Sequence, residues 1–410
     1  MGLNEYINAL KKTLPILKSV SEVVLVHHND ADGLTSAAII QTALKRKGIE
    51  VTDITLERAH PLIIERIIKL YDAPIIFADM GAGAAKVISE KNKGKNTIII
   101  IDHHLPSKVD DPKILNLSTR AYDVNGDKDI SASTAAYLFA NVLGENRDLA
   151  YLAVIGAIGD SHHRFGKLVG ANRLALEEAV KRNQVKVVEV DGKEDYYLTV
   201  FGGSIPISKF AKELTVLGAV GYYMGGPDVG IKTALEGPNE EAEKLLEKLD
   251  NIKRKAFDKV LTKLRTEGLN QTEYVQWFHV HDDFAPMGVK VIGEFCMEIR
   301  DMDFINPNKY LAGFQNMPPT VPKLGEFNWK LVKVSFRLPS ALEERVIKGE
   351  MPGYTWLVSK AAPHVGGDID ACHRHACATT FDQGLEKEFI KWLNYYVNEY
   401  LKLARIIKSS

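Results

Sequence analysis

Short, almost purely apolar runs are the feature of the first 120 residues that most restricts the fold. The runs VVLV at 23–26, IIFA at 75–78 and TIIII at 97–101 contain no charged side chain, and segments with helical periodicity separate them. A strand without polar alternation is buried on both faces, as in a parallel sheet that helices cover. We therefore predict an α/β fold whose first part is a parallel sheet built from βαβ units.

The remainder of the chain predicts a long helix and a second domain. A charge-rich segment with helical periodicity at 237–268 indicates the helix. Short aromatic and β-branched strands follow from residue 273, and a helix near the C-terminus completes the domain. We predict a parallel-sheet domain over residues 1–235, a linker helix over 236–272 and a smaller α/β domain over 273–410.

Charge and cysteine content narrow the class of protein. The chain has 52 basic and 53 acidic residues, and this balance argues against indiscriminate binding to duplex nucleic acid. Three cysteines, none in a CxxC pair, argue against a disulfide framework and fit a reducing compartment. Charges interrupt every apolar stretch of the first 20 residues, and no apolar run is long enough for a membrane span. We expect a cytoplasmic protein that does not insert into membranes.

Acidic and imidazole side chains follow the apolar runs. Because ligands bind at the carboxyl ends of parallel strands, we expect these side chains to meet at one edge of the sheet. One aspartate there can simply cap a helix, but five would repel one another unless cations lie among them. The motifs contain no lysine or arginine, so we predict metal ions. The residues concerned are His28, Asp30, Asp32, Asp79, Asp102, His103, His104 and Asp160.

The type of ligand indicates the type of metal. An oxygen-rich site with imidazoles and no thiolate suits manganese or magnesium, with cobalt or zinc as further possibilities. A central carboxylate such as Asp79 can bridge two ions, and two ions can activate a water molecule and stabilise a phosphoryl transition state.

The order of these motifs resembles a known family. HHNDADGLTSAA at 27–38, ADMG at 78–81, DHH at 102–104 and GAIGD at 156–160 resemble the four motifs of the DHH phosphoesterase superfamily. VSFR at 334–337 and HVGGDIDACHRHACATTF at 364–381 resemble its DHH-associated domain. Within the superfamily the chain is most similar to archaeal RecJ-like proteins, which are manganese-dependent exonucleases of single-stranded DNA or RNA with replication-associated relatives.

The resemblance implies a role for each motif residue. Asp30 and Asp79, with His28, would hold one ion; Asp32, Asp79, His103 and Asp160 would hold the other. His104 would face the water or the scissile phosphate, and Asp102 would orient a histidine. Pyrophosphatase relatives carry a histidine where this chain has Val26, which argues against that activity. Residues 161–164, SHHR, are either further substrate contacts or an incidental loop.

In the second domain the resemblance implies a phosphate-binding loop. Relatives hold a substrate phosphate with a GGH loop; here Gly366 and Gly367 supply the glycines and His373 stands later, flanked by Arg374 and His375. A tight turn between strands is the alternative. Arg337 resembles the arginine that grips the next phosphate. Four aromatic residues are either base-stacking surfaces or core: Trp277, Phe336, Tyr354 and Trp356.

The implied function is a two-metal phosphodiesterase that removes nucleotides from an end of single-stranded DNA or RNA. Residues 1–235 would be the catalytic domain and 273–410 the substrate-binding domain, with two divalent cations, manganese preferred and magnesium or cobalt possible. Two alternatives remain open. One is cleavage of short oligonucleotides or cyclic dinucleotides, and the other is a component of a replication complex that binds partners such as GINS.

Overall fold

The structure, a computed structural model, describes residues 2–372 and 374–409, with segments 368–372 and 404–409 described by their backbone alone. The chain divides into two compact units. The first comprises residues 1–249 with 322–324, and the second comprises 250–321 and 325–410. The division falls within the long helix, inside the segment predicted as a linker.

The first half of unit one is an alternation of strands and helices. The sheet has the order β2-β1-β3-β4-β5, and all of its strands are parallel. The predicted parallel α/β fold is therefore confirmed. The elements are α1 (Leu3–Leu10), α2 (Leu14–Lys18), β1 (Glu22–His28), α3 (Ala31–Lys45), β2 (Glu50–Leu56), α4 (Pro61–Leu70), β3 (Ile75–Ala78), α5 (Ala85–Asn92), β4 (Ile98–Asp102) and β5 (Ile114–Ser118).

The central strands are buried on both faces, as their apolar sequences require. The side chains of residues 98–101 in β4 and 75–78 in β3 are fully buried. Helix α3 is buried along most of its length because α6 and α7, defined below, pack on it. Burial on this scale stabilises the sheet by about 25 cal/mol for each Å² of apolar surface removed from water.

The second half of unit one is mostly helical. Short 3-10 turns at Thr119–Tyr122 and His162–Phe165 precede α6 and follow α7, respectively. A small three-stranded sheet has the order β6-β7-β8. The elements are α6 (Ala132–Leu143), α7 (Ala150–Gly159), α8 (Gly170–Lys181), β6 (Val185–Val190), β7 (Lys193–Leu198), β8 (Ile205–Pro206), α9 (Ile207–Thr215), α10 (Gly226–Glu236) and α11 (Glu240–Glu267).

Helix α11 is the long charged helix, 28 residues in length, and it leads from unit one into unit two.

Unit two contains a six-stranded sheet of order β15-β16-β14-β11-β10-β9, in which only the β10–β11 pair among the described strands is parallel. Its elements are β9 (Asn270–Gln271), β10 (Val275–His279), α12 (Val291–Ile299), β11 (Tyr310–Asn316), β12 (Thr320–Val321), β13 (Gly325–Glu326), β14 (Leu331–Arg337), α13 (Ser340–Ile347), α14 (Tyr354–Ala361), β15 (Asp368–Cys372), β16 (Ala376–Asp382) and α15 (Glu386–Ser409).

The aromatic residues considered for base stacking divide into two groups. Phe336 and Tyr354 are fully buried in the core of unit two, whereas Trp277 and Trp356 are half-buried.

Cys377 is disulfide-bonded, which the sparse cysteine count did not predict, because a sequence spacing does not report which side chains meet. In the described part of the chain, every helix is too short or too polar to cross a bilayer.

One glycine allows α3 to start directly behind β1. A Cβ atom built on Gly33 would lie 2.3 Å from the carbonyl oxygen of His28, so a larger residue would push the helix away from the strand end. We expect Gly33→Ala to destabilise unit one by about 1–3 kcal/mol. The midpoint of urea unfolding measures this loss. Gly83→Ala is the control, because its Cβ would meet nothing closer than 3.5 Å; equal midpoints for both variants would contradict the steric argument.

Candidate metal centre

Three neighbouring strands of the parallel sheet end in acidic or imidazole residues. His28 is the last residue of β1, Asp79 directly follows β3, and Asp102 is the last residue of β4. Because the three strands are adjacent and parallel, their carboxyl ends lie at one edge of the sheet. The structure therefore brings the predicted motifs together where the sequence placed them.

The end of β1 contributes an imidazole and a carboxylate. His28 Nδ1 lies 3.1 Å from Asp30 Oδ2 and 3.4 Å from Asp79 Oδ2. Asp30 also caps α3, because its Oδ1 accepts a hydrogen bond from the backbone N–H of Gly33 at 3.2 Å. One oxygen of Asp30 thus holds the helix, while the other faces His28.

Asp79 lies between two imidazoles. Its Oδ2 faces His28, and its Oδ1 is 3.5 Å from His103 Nε2. The side chain is only 4% exposed, and the backbone is left-handed with φ 59°. That conformation costs most residues about 1–2 kcal/mol, while asparagine and aspartate tolerate it best. Two oxygens that face different imidazoles are what a carboxylate needs to bridge two ions.

Asp102 holds the loop that carries both histidines of the DHH motif. Its Oδ1 accepts hydrogen bonds from the backbone N–H of His103 at 2.7 Å and from the Nδ1–H of His104 at 2.7 Å, and its Oδ2 accepts from the N–H of Ala82 at 2.9 Å. Burial alone would raise the pKa of Asp102, but these partners outweigh burial and lower it. Asp102 therefore orients the histidines rather than offering a free oxygen to a metal.

The two histidines have different surroundings. His103 is buried and donates its Nδ1–H to the carbonyl oxygen of Gly126 at 2.6 Å, which leaves Nε2 directed towards Asp79 and Asp160, 3.5 and 3.7 Å away. This is the tautomer that a metal-binding imidazole requires. The side chain of His104 is 57% exposed and its Nδ1 is engaged by Asp102, so its Nε2 is available to substrate or water.

Asp32 is buried, and both of its carboxylate oxygens accept backbone hydrogen bonds. Its Oδ2 and Oδ1 accept hydrogen bonds from the backbone N–H groups of Ala132 and Ser133 at 2.8 and 2.9 Å, at the start of α6. A Cβ on Gly156 of the GAIGD motif would lie 2.4 Å from Asp32 Oδ1, which explains the glycine there. Some described side chains form groups whose ligand atoms all lie within 4.8 Å of one another. The other five predicted ligands each belong to such a group, but Asp32 does not.

His162 was considered as a substrate contact, but in the structure its side chain contacts Asp160. Its ring is buried, and its Nε2 lies 2.8 Å from Asp160 Oδ2. Asn172 Oδ1 accepts the backbone N–H of Ser131 at 3.0 Å, so its amide nitrogen must be the group that faces His162 Nδ1 at 2.8 Å. Nδ1 of the imidazole therefore accepts, and Nε2 donates its hydrogen to Asp160. No sequence pattern indicated Asn172 or Gly126.

The charges at this edge fit a cation site. Burial, and then the nearby Asp79 and Asp160 carboxylates, raise the pKa of Asp32 to about 7. Burial by itself lowers the pKa of His103, but Asp79 and Asp160 outweigh it and hold that pKa well above its usual value. The Asp79 and Asp160 carboxylates contribute to both shifts, and bound cations would relieve the repulsion among these carboxylates. His28, Asp30, Asp79, His103 and Asp160 offer the oxygen and nitrogen donors that divalent ions accept.

The predicted substrate residues lie in unit two. Arg337 ends β14, and its Nη1 donates to the carbonyl oxygen of Phe336 at 2.7 Å. Gly366 is left-handed with φ 63°. The guanidinium of Arg374 donates to the carbonyl oxygens of residues 346 and 347 at the end of α13, and His375 Nδ1 lies 3.5 Å from Glu343 Oε1.

Gly367 packs closely, because a Cβ there would meet Ala362 O and Thr379 Oγ1 at 3.1 Å. His373 lies outside the described residues. A phosphate-binding role for Arg337, Gly366, Gly367, Arg374 and His375 therefore stays a prediction, and Arg374 already uses its Nη2 at the end of α13.

Comparison with known proteins identifies the sheet and its motifs. Residues 22–159 match the N-terminal domain of the DHH family. This part of the chain is therefore similar to a DHH domain. An uncharacterised protein of Methanocaldococcus jannaschii is 32% identical over 193 residues, which are 44% of this chain and 43% of that relative. The match thus spans less than half of the relative's length.

Solved structures show that the fold extends beyond the DHH domain. RecJ from Thermus thermophilus in complex with Mn²⁺ has a TM-score of 0.63 at 16% identity, covering 95% of this chain and 55% of that one; RecJ from the same organism has also been solved with Mg²⁺. An exonuclease RecJ bound to manganese has a TM-score of 0.60 at 16% identity, covering 97% and 95%. CDC45 from Entamoeba histolytica has a TM-score of 0.52 at 11% identity, covering 95% and 96%. The predicted RecJ-like fold is confirmed.

Replacement of the central carboxylate tests the cation site. We expect Mn²⁺ to raise the Tm of the unmodified protein, because the ion binds only the folded state. Asp79→Asn should lose most of that increase while keeping or raising the metal-free Tm, since asparagine tolerates the left-handed backbone and one negative charge is removed. Differential scanning fluorimetry measures both values. The control is Asp72→Asn, because Asp72 is exposed and precedes β3, at the opposite edge of the sheet. This variant should keep the full increase in Tm. A full increase in Tm for Asp79→Asn would contradict the site.

The hydrogen bond from His162 to Asp160 gives a second test. Burial alone would raise the pKa of Asp160, but the bond from His162 outweighs it and favours the ionised form. We expect His162→Phe to weaken Mn²⁺ binding by about tenfold or more, the usual effect of losing a group that orients a metal ligand. His162→Gln, which can still donate a hydrogen, should retain most of the affinity.

Electron paramagnetic resonance of free Mn²⁺ measures the affinity of these variants. Unchanged affinity in His162→Phe would show that Asp160 needs no such support. Equal losses in His162→Phe and His162→Gln would instead indicate that the imidazole binds the metal directly.

Proposed function

We propose that the protein is a metal-dependent phosphodiesterase that hydrolyses single-stranded DNA or RNA from an end. The observation that carries the proposal is the position of Asp79, whose two oxygens face His28 and His103 at 3.4 and 3.5 Å. In this arrangement, His28, Asp30 and Asp79 would hold one ion. Asp79, His103 and Asp160 would hold the other, because His103 Nε2 lies 3.5 Å from Asp79 Oδ1 and 3.7 Å from Asp160 Oδ2. Asp32 is the remaining predicted ligand of this second set.

When bound, two divalent ions supply an activated water molecule and stabilise the negative charge that develops on the phosphate. The protein's own groups do the rest. Asp79 keeps the two ligand sets adjacent, and Asp102 holds the His104 ring with its Nε2 towards solvent. Burial alone lowers the pKa of His104, but the Asp102 carboxylate outweighs it and raises that pKa, which favours the ring form whose Nε2–H can donate a hydrogen bond to a phosphate oxygen.

Manganese is the preferred ion in this proposal, with magnesium or cobalt as substitutes. Imidazole nitrogens belong to both ligand sets, and manganese accepts nitrogen donors more readily than magnesium does. RecJ structures that share the fold contain Mn²⁺ or Mg²⁺.

The alternatives from the sequence differ in substrate or partner rather than in fold. Cleavage of short oligonucleotides or cyclic dinucleotides uses the same metal chemistry and differs in how much nucleic acid must bind. A replication role with partners such as GINS is compatible with the fold shared with CDC45. Such a role does not require the catalytic acids to be lost.

Hydrolysis assays distinguish these functions. The protein is incubated with Mn²⁺ and with end-labelled single-stranded DNA, single-stranded RNA, duplex DNA, a dinucleotide and a cyclic dinucleotide. We expect stepwise shortening of a single strand from one end, with Asp79→Asn slower by about 100-fold or more because the shared ligand is lost. Asp72→Asn should keep full activity.

Each other outcome selects another function. Cleavage of only the dinucleotides would select the short-substrate alternative. No cleavage of any substrate with Mn²⁺, Mg²⁺ or Co²⁺ would reject the enzyme, and equal activity in Asp79→Asn would reveal a contaminating nuclease.

A further inference from the structure

Phe165 is an exposed aromatic ring in the turn that follows Asp160. Its side chain is 61% exposed, although large apolar side chains normally avoid water. It lies five residues beyond Asp160 and three beyond His162, in the 3-10 turn His162–Phe165. Neither the motifs of the DHH domain nor the proposed chemistry accounts for an exposed ring here.

The turn that carries Phe165 is anchored to the metal centre. The buried His162 ring donates to Asp160 on one side and accepts from Asn172 on the other. Left-handed residues at both ends, Ser161 with φ 61° and Gly166 with φ 98°, keep the turn short. Because side chains three residues apart lie on the same side of a 3-10 helix, the position of His162 restricts where Phe165 can project.

Two cationic side chains lie over the ring. The guanidinium carbon of Arg164 lies 4.9 Å from the ring centroid, and Lys128 Nζ lies 5.7 Å from it. Arg164 also donates to the carbonyl oxygen of Asp127 at 3.4 Å, so it is attached to the loop that supplies Gly126 O to His103. Proteins that bind single strands combine the same two elements, an aromatic face for a base and cations for the phosphates beside it.

We propose that Phe165, Arg164 and Lys128 form a stacking subsite for an unpaired nucleobase of the substrate. The proposal rests on the proposed function and specifies it further, because it places one base next to Asp160. The ring contacts the base face, and the two cations contact the adjoining phosphates. A duplex cannot use this subsite without unstacking, since its base faces are covered by neighbouring bases. The subsite therefore selects single strands.

Oligonucleotide binding without cleavage tests the subsite. All variants carry Asp79→Asn, so that a labelled oligothymidylate stays intact in Mn²⁺, and fluorescence anisotropy gives its Kd. We expect Phe165→Ala to weaken binding by about fivefold or more, the loss associated with one base-stacking contact. Binding of an abasic oligonucleotide of equal length should change much less. Phe165→Trp should bind oligothymidylate at least as tightly as the parent.

Two further variants guard against disruption of the turn. Phe165→Leu keeps an apolar side chain but removes the ring. Like Phe165→Ala, it should weaken binding of oligothymidylate more than binding of the abasic oligonucleotide. Leu70→Ala, at the exposed end of α4 that leads into β3 at the opposite edge of the sheet, should bind both strands as the parent does.

The outcomes separate the subsite from the function on which it rests. Equal losses on the two strands, or a loss in Phe165→Trp equal to that in Phe165→Ala, would overturn the stacking subsite while leaving the phosphodiesterase in place. Failure of the Asp79→Asn parent to bind either strand, together with no hydrolysis by the unmodified protein, would overturn both.

Discussion

Repulsion among carboxylates at the edge of the parallel sheet is the constraint on which this molecule depends. Asp32 and Asp79 are almost fully buried, and Asp160 lies within 3.7 Å of the same imidazole that Asp79 faces. The fold tolerates this concentration of charge because backbone N–H groups donate to Asp32 and the His103 imidazole lies within 3.5 Å of Asp79 and 3.7 Å of Asp160. Cations would complete the balance, so the ligand set is built at the expense of stability in the metal-free protein.

Hydrogen bonds behind the ligands supply the geometry that charge alone cannot. Asp102 fixes His104, Gly126 fixes the tautomer of His103, and Asn172 fixes that of His162. Gly126 lies in the loop before α6, and Asn172 lies in α8. Asp102 is the last residue of β4, next to the histidine that it holds. The candidate metal centre is therefore supported by the packing of α6, α7 and α8 as well as by the sheet.

The sequence was sufficient to predict the sheet, its buried strands and the edge at which the acids meet, because apolar runs and chain order determine those features. The sequence also indicated that His28 belongs to the candidate metal site. The 3.1 Å distance from His28 Nδ1 to Asp30 Oδ2 supports this proposal. The sequence could not predict Asn172, Gly126 or the buried position of His162, because hydrogen-bond partners distant in sequence leave no periodic signal. Nor did it indicate that Arg374 binds the end of α13, since an arginine beside glycines has the same pattern whether it meets a carbonyl or a phosphate.

The left-handed backbone at Asp79 has an evolutionary consequence. Most replacements there would strain the main chain, but asparagine fits the same conformation and differs from aspartate by one atom of the side chain. A single codon change can therefore remove the carboxylate that we propose two ions share while leaving the sheet edge intact. Under the proposed function, a lineage with this fold would lose hydrolysis in one step and keep a stable surface, which makes the conversion of an enzyme into a binding protein an accessible path.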